Sequence, residues 1–243
     1  MKVDFSKRST QSEIMDDFSQ DEKTLGAVFQ DINRANRILG GNHITLKAIK
    51  KLVLVNPRES YTILDMGCGD GAMLREVALF FRKKKLKAKF TGIDLNENAL
   101  NIARKLSTQF PEIQYMKKNI LATDTRMLHC DILMTTLTLH HFRDREIVPI
   151  VGRFRKLARI GVIINDLERS PWAYYLFKAF SFIFIHSQIA KSDGSISILR
   201  GFKKKELLYF SKEIKDTQHT IRWQWAFRFV WILHVPELTH AHE

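Results

Sequence analysis

Cysteine is nearly missing from this chain of 243 residues, which has only Cys68 and Cys130. Two thiols build no disulfide framework, and they are too few for a structural zinc site with four clustered ligands. Such cysteine usage suits a reducing compartment, and a cytoplasmic protein is expected. The opening residues MKVDFSKRST carry no apolar run after their basic residues, so no secretory leader is expected. A bilayer-spanning run is also lacking. The most apolar stretch, Tyr174 to Ile185, is broken by Lys178 and Ser181 and falls short of the ~20 residues a spanning helix needs. It reads as a buried or pocket-lining helix, with peripheral contact to a membrane or a lipid-like substrate as the sharper alternative. Internal repeats and low-complexity segments are absent.

What the chain does contain is ordinary for a globular protein: 45% hydrophobic and 27% charged residues. The length fits one α/β domain with additions. Basic residues are in excess, with a net charge of +13, which raises nucleic acid or anionic lipid as partners.

Periodicity divides the chain. Residues 12–39 carry Leu25, Val28, Phe29 and Ile32 at helical spacing, and Gly40-Gly41 is a stop. Residues 45–55 predict a second helix. Alternation follows, with strands at 61–66, 90–95, 113–116, 131–137 and 161–166 and helices at 73–81, 99–110 and 146–157. This pattern predicts a parallel sheet covered on both faces, doubly wound. Beyond it lie an aromatic helix at 170–189, a polar loop at Ser192 to Gly194, a helix at 203–214, and two final strands within 219–233 that turn near Ala226. The expected division is an N-terminal helical cap over 1–57 and a catalytic domain over 58–243, with a lid insert at about 168–202.

The most informative residues are Asp65-Met66-Gly67-Cys68-Gly69-Asp70-Gly71, placed between a strand and a helix. Glycines there let a ligand approach the backbone, and the helix N-terminus offers unpaired N–H groups. A lone G-x-G also serves dinucleotide enzymes. Asp65, however, precedes the glycines at the strand end, where a carboxylate suits a cationic ammonium better than a pyrophosphate. The second strand ends in Asp94, which can accept from both ribose hydroxyls or cap the next helix, with Asn96 as the rival cap.

ILDMGCGDG followed by TGIDLNENAL resembles the cofactor motifs of class I S-adenosylmethionine (SAM)-dependent methyltransferases, and the element order fits along the chain. The resemblance implies a Rossmann-like, mostly parallel seven-stranded sheet with the last strand antiparallel. It implies SAM as cofactor and S-adenosylhomocysteine (SAH) as product. Gly67, Cys68, Gly69 and Gly71 would border the methionine part, Asp94 would hold the ribose, and Leu95 would pack on the adenine. Asn119-Ile120 stands where the family usually has Asp and an apolar residue; the Asn119 amide oxygen can still accept from the adenine amino group.

The fourth strand runs into Thr136-Leu137-Thr138-Leu139-His140-His141-Phe142, which should face the methyl donor. L-H-H-F resembles a segment of small-molecule methyltransferases. Either histidine is a candidate general base, or one packs beneath the cofactor. The fifth strand leads into Asn165, Asp166 and Arg169. Asp166 is a candidate proton acceptor, and Arg169 a candidate for binding a carboxylate or phenolate, unless the two form an internal pair. Asn165 joins them as a substrate-side candidate. Glu13-Ile14-Met15-Asp16, Asn36-Arg37 with Gly40-Gly41, and the segment from Asp193 to Arg200 resemble a bacterial group of small-molecule methyltransferases linked to secondary metabolism. In such a lineage Arg200 and Asp193 would sit at the pocket rim.

The densest basic cluster, Lys83 to Lys89, joins a helix to the second strand, at the end of the sheet away from the cofactor. The ranking is therefore methyl transfer to a small aromatic or apolar hydroxylated acceptor first, an RNA methyltransferase second, and a non-catalytic SAM-binding protein third. No metal site is expected, and the sequence leaves the oligomeric state open.

Overall fold

In the computed structural model, residues 3–121 and 128–236 are described. A 3-10 turn at Ile14–Asp16 precedes helices α1 (Glu22–Ile38) and α2 (Gly41–Val55). The alternating region is then β1 (Ser60–Met66), α3 (Ala72–Lys83), β2 (Lys87–Asp94), α4 (Glu97–Leu106), β3 (Ile113–Lys117), β4 (Cys130–Thr136), α5 (Asp144–Leu157) and β5 (Ala158–Leu167). It is followed by α6 (Pro171–Phe184), α7 (Gln188–Arg200), α8 (Lys204–Glu213), β6 (Gln218–Gln224) and β7 (Arg228–His234).

The sheet has seven strands in the order β3-β2-β1-β4-β5-β7-β6. β1 to β5 pair in parallel and β7 runs antiparallel to both its neighbours, as the resemblance implied. The order reverses beside β1, so the crevice beyond the carboxyl ends of β1 and β4 is the expected ligand position. β4 and β5 are buried almost throughout because helices cover both faces. On one face Ile147, Phe154, Leu207, Phe210 and Trp231 form a core. On the other, Ile49 and Leu52 of α2 pack with Val77 and Phe81 of α3 against Ile63, Ile132 and Ile163.

The segment expected as an N-terminal cap therefore divides. Residues of α2 belong to the sheet's own core, whereas Val28 of α1 clusters with Ile185 and Ala190, beside the helices that follow β5. Gly40, at a left-handed φ of 73°, makes the short turn between α1 and α2 rather than a longer stop.

Two expectations after β5 are corrected. The single helix over 170–189 is two helices. Asp31 of α1 accepts from the backbone N–H groups of His186 and Ser187 at 2.9 and 2.7 Å, holding the break between them. The polar loop at Ser192–Gly194 lies inside α7. Asp193 is buried there, accepting from the N–H groups of Ile14 and Met15 at 2.8 and 2.9 Å. A Cβ on Gly194 would stand 2.2 Å from the Phe177 ring, so glycine lets α6 and α7 close up. Polarity that reads as a loop is thus a helix facing a polar partner.

Candidate functional site

Local backbone chemistry builds the cofactor half of the crevice. Gly67, Gly69 and Gly71 take left-handed φ of 77°, 53° and 75°. A Cβ on Gly67 would meet Thr138 at 2.4 Å, and one on Gly71 would meet the Tyr115 hydroxyl at 2.1 Å. Side chains are excluded there both by conformation and by space. The N–H groups of Gly67 and Cys68 donate to the Ile93 carbonyl, tying the turn to β2. Asp94 accepts from the Gly69 N–H through Oδ2 and from the Asn96 N–H through Oδ1, both at 2.9 Å. Asn96 caps α4 itself, accepting from Asn98 and Ala99. Asp94 is therefore released from capping and lines the crevice.

Asp65 is buried, lines the same crevice, and its Oδ1 has no hydrogen-bond partner among the described residues. Burial and then the charge of Asp94 push its carboxyl up to about 8. An unpartnered carboxylate of this kind calls for a cation. Burial also raises the Cys68 thiol, whose neutral side chain lines the turn. Leu95, Asn119, Ile120 and Thr136 complete the wall. Leu95 is 39% exposed, Asn119 Oδ1 accepts from the Leu121 N–H, and Thr136 Oγ1 lies 3.1 Å from Thr45 Oγ1.

The crevice has a volume of about 670 Å³. Its other half is lined by Phe177 and Phe180 of α6 and Trp225 of the β6–β7 turn, whereas Phe29 of α1 stands over the glycine turn, where a Cβ on Gly69 would meet its ring at 2.9 Å. His140 and His141 border it, with ring centroids 4.3 Å apart. His140 Nδ1 lies 2.7 Å from Asp166 Oδ1, and its Nε2 lies 3.4 Å from Glu13 Oε1. Burial disfavours the charged ring, but Asp166 and Glu13 outweigh it and hold His140 up to about 9. The same contacts lower Asp166 and Glu13 against the burial that would raise them. His141 Nδ1 lies 2.8 Å from Asp16 Oδ1, and Asp16 also accepts from Arg200 Nη1 at 2.7 Å. Glu13, His140 and His141 place their potential ligand atoms within 4.8 Å of one another. Arg200 Nη1, 3.6 Å from Glu13 Oε1, supplies positive charge to this group.

Four residues expected on the substrate side have internal partners instead, and none lines the crevice. Asp166 is 2% exposed and holds His140. Asn165 is fully buried and donates to the Gly41 carbonyl and Thr45 Oγ1. Arg169 is 1% exposed and pairs with Glu206, with the expected Asp166–Arg169 pair not formed. Arg200 donates to the His141 carbonyl and to Asp16, fixing the histidine turn from behind. Long polar chains after a strand end look like a rim in sequence, but here they satisfy carbonyls left open by irregular backbone.

Residues absent from the expected site include Glu13, Asp16, Arg8 and Arg228. Arg8 donates to the carbonyls of His140 and Phe142. Arg228 lines the crevice, 5% exposed, with Nη2 donating to Asn36 Oδ1 at 2.6 Å. The acidic pair had a signal in Glu13-Ile14-Met15-Asp16, but nothing local linked it to residues more than a hundred positions away.

Residues 63–161 match the family described as methyltransferase domain. No curated protein matches the chain significantly. Among solved structures, an O-methyltransferase family protein from Burkholderia thailandensis is similar at 15% identity and a TM-score of 0.66, over 93% of this chain and 64% of that one. A plantazolicin methyltransferase solved with SAH is similar at 16% identity and a TM-score of 0.62, over 92% and 99% of the two chains. The magnesium protoporphyrin IX methyltransferase of Synechocystis, also solved with SAH, gives 12% identity and a TM-score of 0.55, over 81% and 84%. The match to a methyltransferase domain thus covers the alternating β1–β5 region, and the chain shares the Rossmann-like fold of these solved methyltransferases.

Proposed function

We propose that the protein transfers the methyl group of SAM to a small aromatic or apolar acceptor carrying a hydroxyl group, phenol- or quinol-like, in secondary metabolism. The observation that carries the reading is the unpartnered, buried Asp65 carboxyl beside the glycine turn. The residues present fit SAM: Asp65 faces its ammonium, the turn of Gly67 to Gly71 admits the methionine chain, Asp94 receives the ribose hydroxyls, and Leu95, Asn119 and Ile120 flank the adenine. The sulfonium supplies an activated methyl carbon open to direct displacement.

The chain's own contribution is alignment and proton handling. Phe177, Phe180 and Trp225 give the acceptor an apolar berth. His140 in its neutral form takes the hydroxyl proton, and Asp166, hydrogen-bonded to Nδ1, orients the ring and stabilises the imidazolium produced. Asp166 is a positioning residue here, as are Asn165, Arg169 and Arg200. The insert of about 168–202 and the N-terminal segment close over the acceptor. The exposed Trp172, Tyr175, Phe182 and Ile183 of α6 suit contact with a lipid-like acceptor or a membrane surface. No helix among the described residues is long and apolar enough to cross a membrane.

Six carboxylates line the crevice (Glu13, Asp16, Asp65, Asp70, Asp94 and Asp193) against a single Lys or Arg, which disfavours a nucleic-acid acceptor. Calorimetry with SAH tests the cofactor assignment. Wild type should bind, and Asp94→Ala should bind about 100-fold more weakly for loss of a charged, bidentate acceptor. Wild-type affinity in that variant would overturn it.

A further inference from the structure

The protein carries 39 Lys and Arg residues, yet among the described residues Arg228 is the one that lines the crevice. The residue is only 5% exposed, and it has no salt bridge within 4 Å among the described residues. Nη2 is occupied by Asn36, but Nη1, itself shielded from solvent, has no hydrogen-bond partner among the described residues. A buried cation left in this condition is costly unless an anion completes it. Burial lowers its pKa to about 10, with the charge of Asp166 only partly opposing the shift.

Its place in the sheet says which ligand would do so. Most cofactor residues stand on β1, β2 and the turns that follow them, with Asn119 and Ile120 after β3 and Thr136 at the end of β4. Arg228 opens β7, opposite Leu167 at the end of β5. β7 is three strands from β1 in the sheet, roughly 14 Å at the usual strand spacing. It adjoins Phe227, Ala226 and Trp225 of the apolar wall. Its side chain is held from below by the α1–α2 turn, since a Cβ on Gly41 would meet Arg228 Cζ at 2.8 Å. The guanidinium therefore belongs to the acceptor half.

We propose that Arg228 is an anion-receiving subsite for the methyl acceptor, its guanidinium turning the unpartnered Nη1 toward a carboxylate or phenolate oxygen. The acceptor is accordingly an aromatic or apolar hydroxy compound that also bears an acidic group, such as a hydroxyaryl carboxylate. This rests on the methyltransferase reading and narrows its substrate class. Asp65, Asp70 and Asp94 line the cofactor half for a cationic donor; in the other half Glu13 and Asp16 are taken up by the histidines and Asp193 by backbone N–H groups, which leaves Arg228 to meet an anionic acceptor.

The test titrates SAH-loaded protein with a hexyl-substituted salicylate and with the matching salicylamide, which keeps shape but loses charge. Wild type should prefer the carboxylate by about tenfold or more. Arg228→Gln should lose that preference while keeping SAH affinity within about twofold, and Arg228→Lys should regain part of it. Equal binding of carboxylate and amide by wild type overturns the proposal. So does a fall in SAH affinity in Arg228→Gln, which would make the cofactor the anion. An unchanged preference accompanied by a lower Tm overturns it too, leaving Arg228 as an internal partner of Asn36. If the Gln variant does not fold, the wild-type comparison and the Lys variant carry the test. Failure of wild type to bind SAH at all sinks the cofactor reading instead, and is scored separately.

Discussion

The two halves of the crevice are made by different means. The cofactor half is assembled from neighbours in sequence: Asp65 to Gly71 and Asp94 to Asn96 bond to each other across adjacent parallel strands. The acceptor half is assembled from residues scattered over the chain. His140 is held by Asp166 from β5, Glu13 from the N-terminal segment, and the carbonyl clamps of Arg8 and Arg200. The difference teaches that a short motif with glycine at forced backbone angles is rigid by itself, whereas a histidine buried among carboxylates depends on the whole tertiary frame.

The comparison breaks first if that frame can be cut without consequence. Arg169 pairs with Glu206 and donates to the Gly201 carbonyl beneath the acceptor half. Arg169→Met should cost about 3 kcal/mol, read by denaturant unfolding, because Glu206 is left without its buried partner. Unaltered stability would make the acceptor half as self-sufficient as the glycine turn.

The next effect separates chemistry from binding. His140→Ala should lower turnover by about 100-fold or more while SAH affinity stays within about twofold. In wild type, the rate should climb about tenfold for each pH unit below about 9, as the imidazolium loses the proton that Asp166 and Glu13 help to retain. A flat profile through that range removes His140 as the base.

A smaller effect belongs to the cofactor half. Asp65 must give up its proton to meet an ammonium, so SAH affinity should weaken by up to about tenfold per unit as pH falls below about 8. Asp65→Asn should abolish this dependence. The stability sign follows from the same shift. The folded carboxyl keeps its proton up to about 8 while the unfolded one loses it near 3.8, so this group erodes apo-protein stability as pH rises between those values. Thermal melts of the Asn variant should show a flatter decline across that window. An identical decline would mean that Asp65 is already ionised.

These contrasts also explain what could be read from the sequence. The alternating strands and the residues of the glycine turn were legible because each signal spans a dozen positions or fewer. Apolar runs mark strands buried on both faces, and glycines mark angles other residues avoid. The partners of His140 were not legible, since Glu13 and Arg8 lie more than a hundred positions away and nothing in their neighbourhood states that distance. Arg169 and Asn165 misled for a related reason. A polar side chain after a strand can turn to solvent or back to open carbonyls, and the choice belongs to α2, α8 and the N-terminal segment packed around it. Asp193 was misplaced in a loop because its helix faces backbone N–H groups rather than an oily surface.

The tether from Asp193 to Ile14 and Met15 has a mechanical consequence. The stretch it anchors also presents Glu13 to His140 and Asp16 to His141. Lifting those few residues away from α7 would take Glu13 from His140, leaving it Asp166 alone, and Asp16 from His141, in one movement. Access for an incoming molecule and the charge set around His140 are thus worked by a single latch.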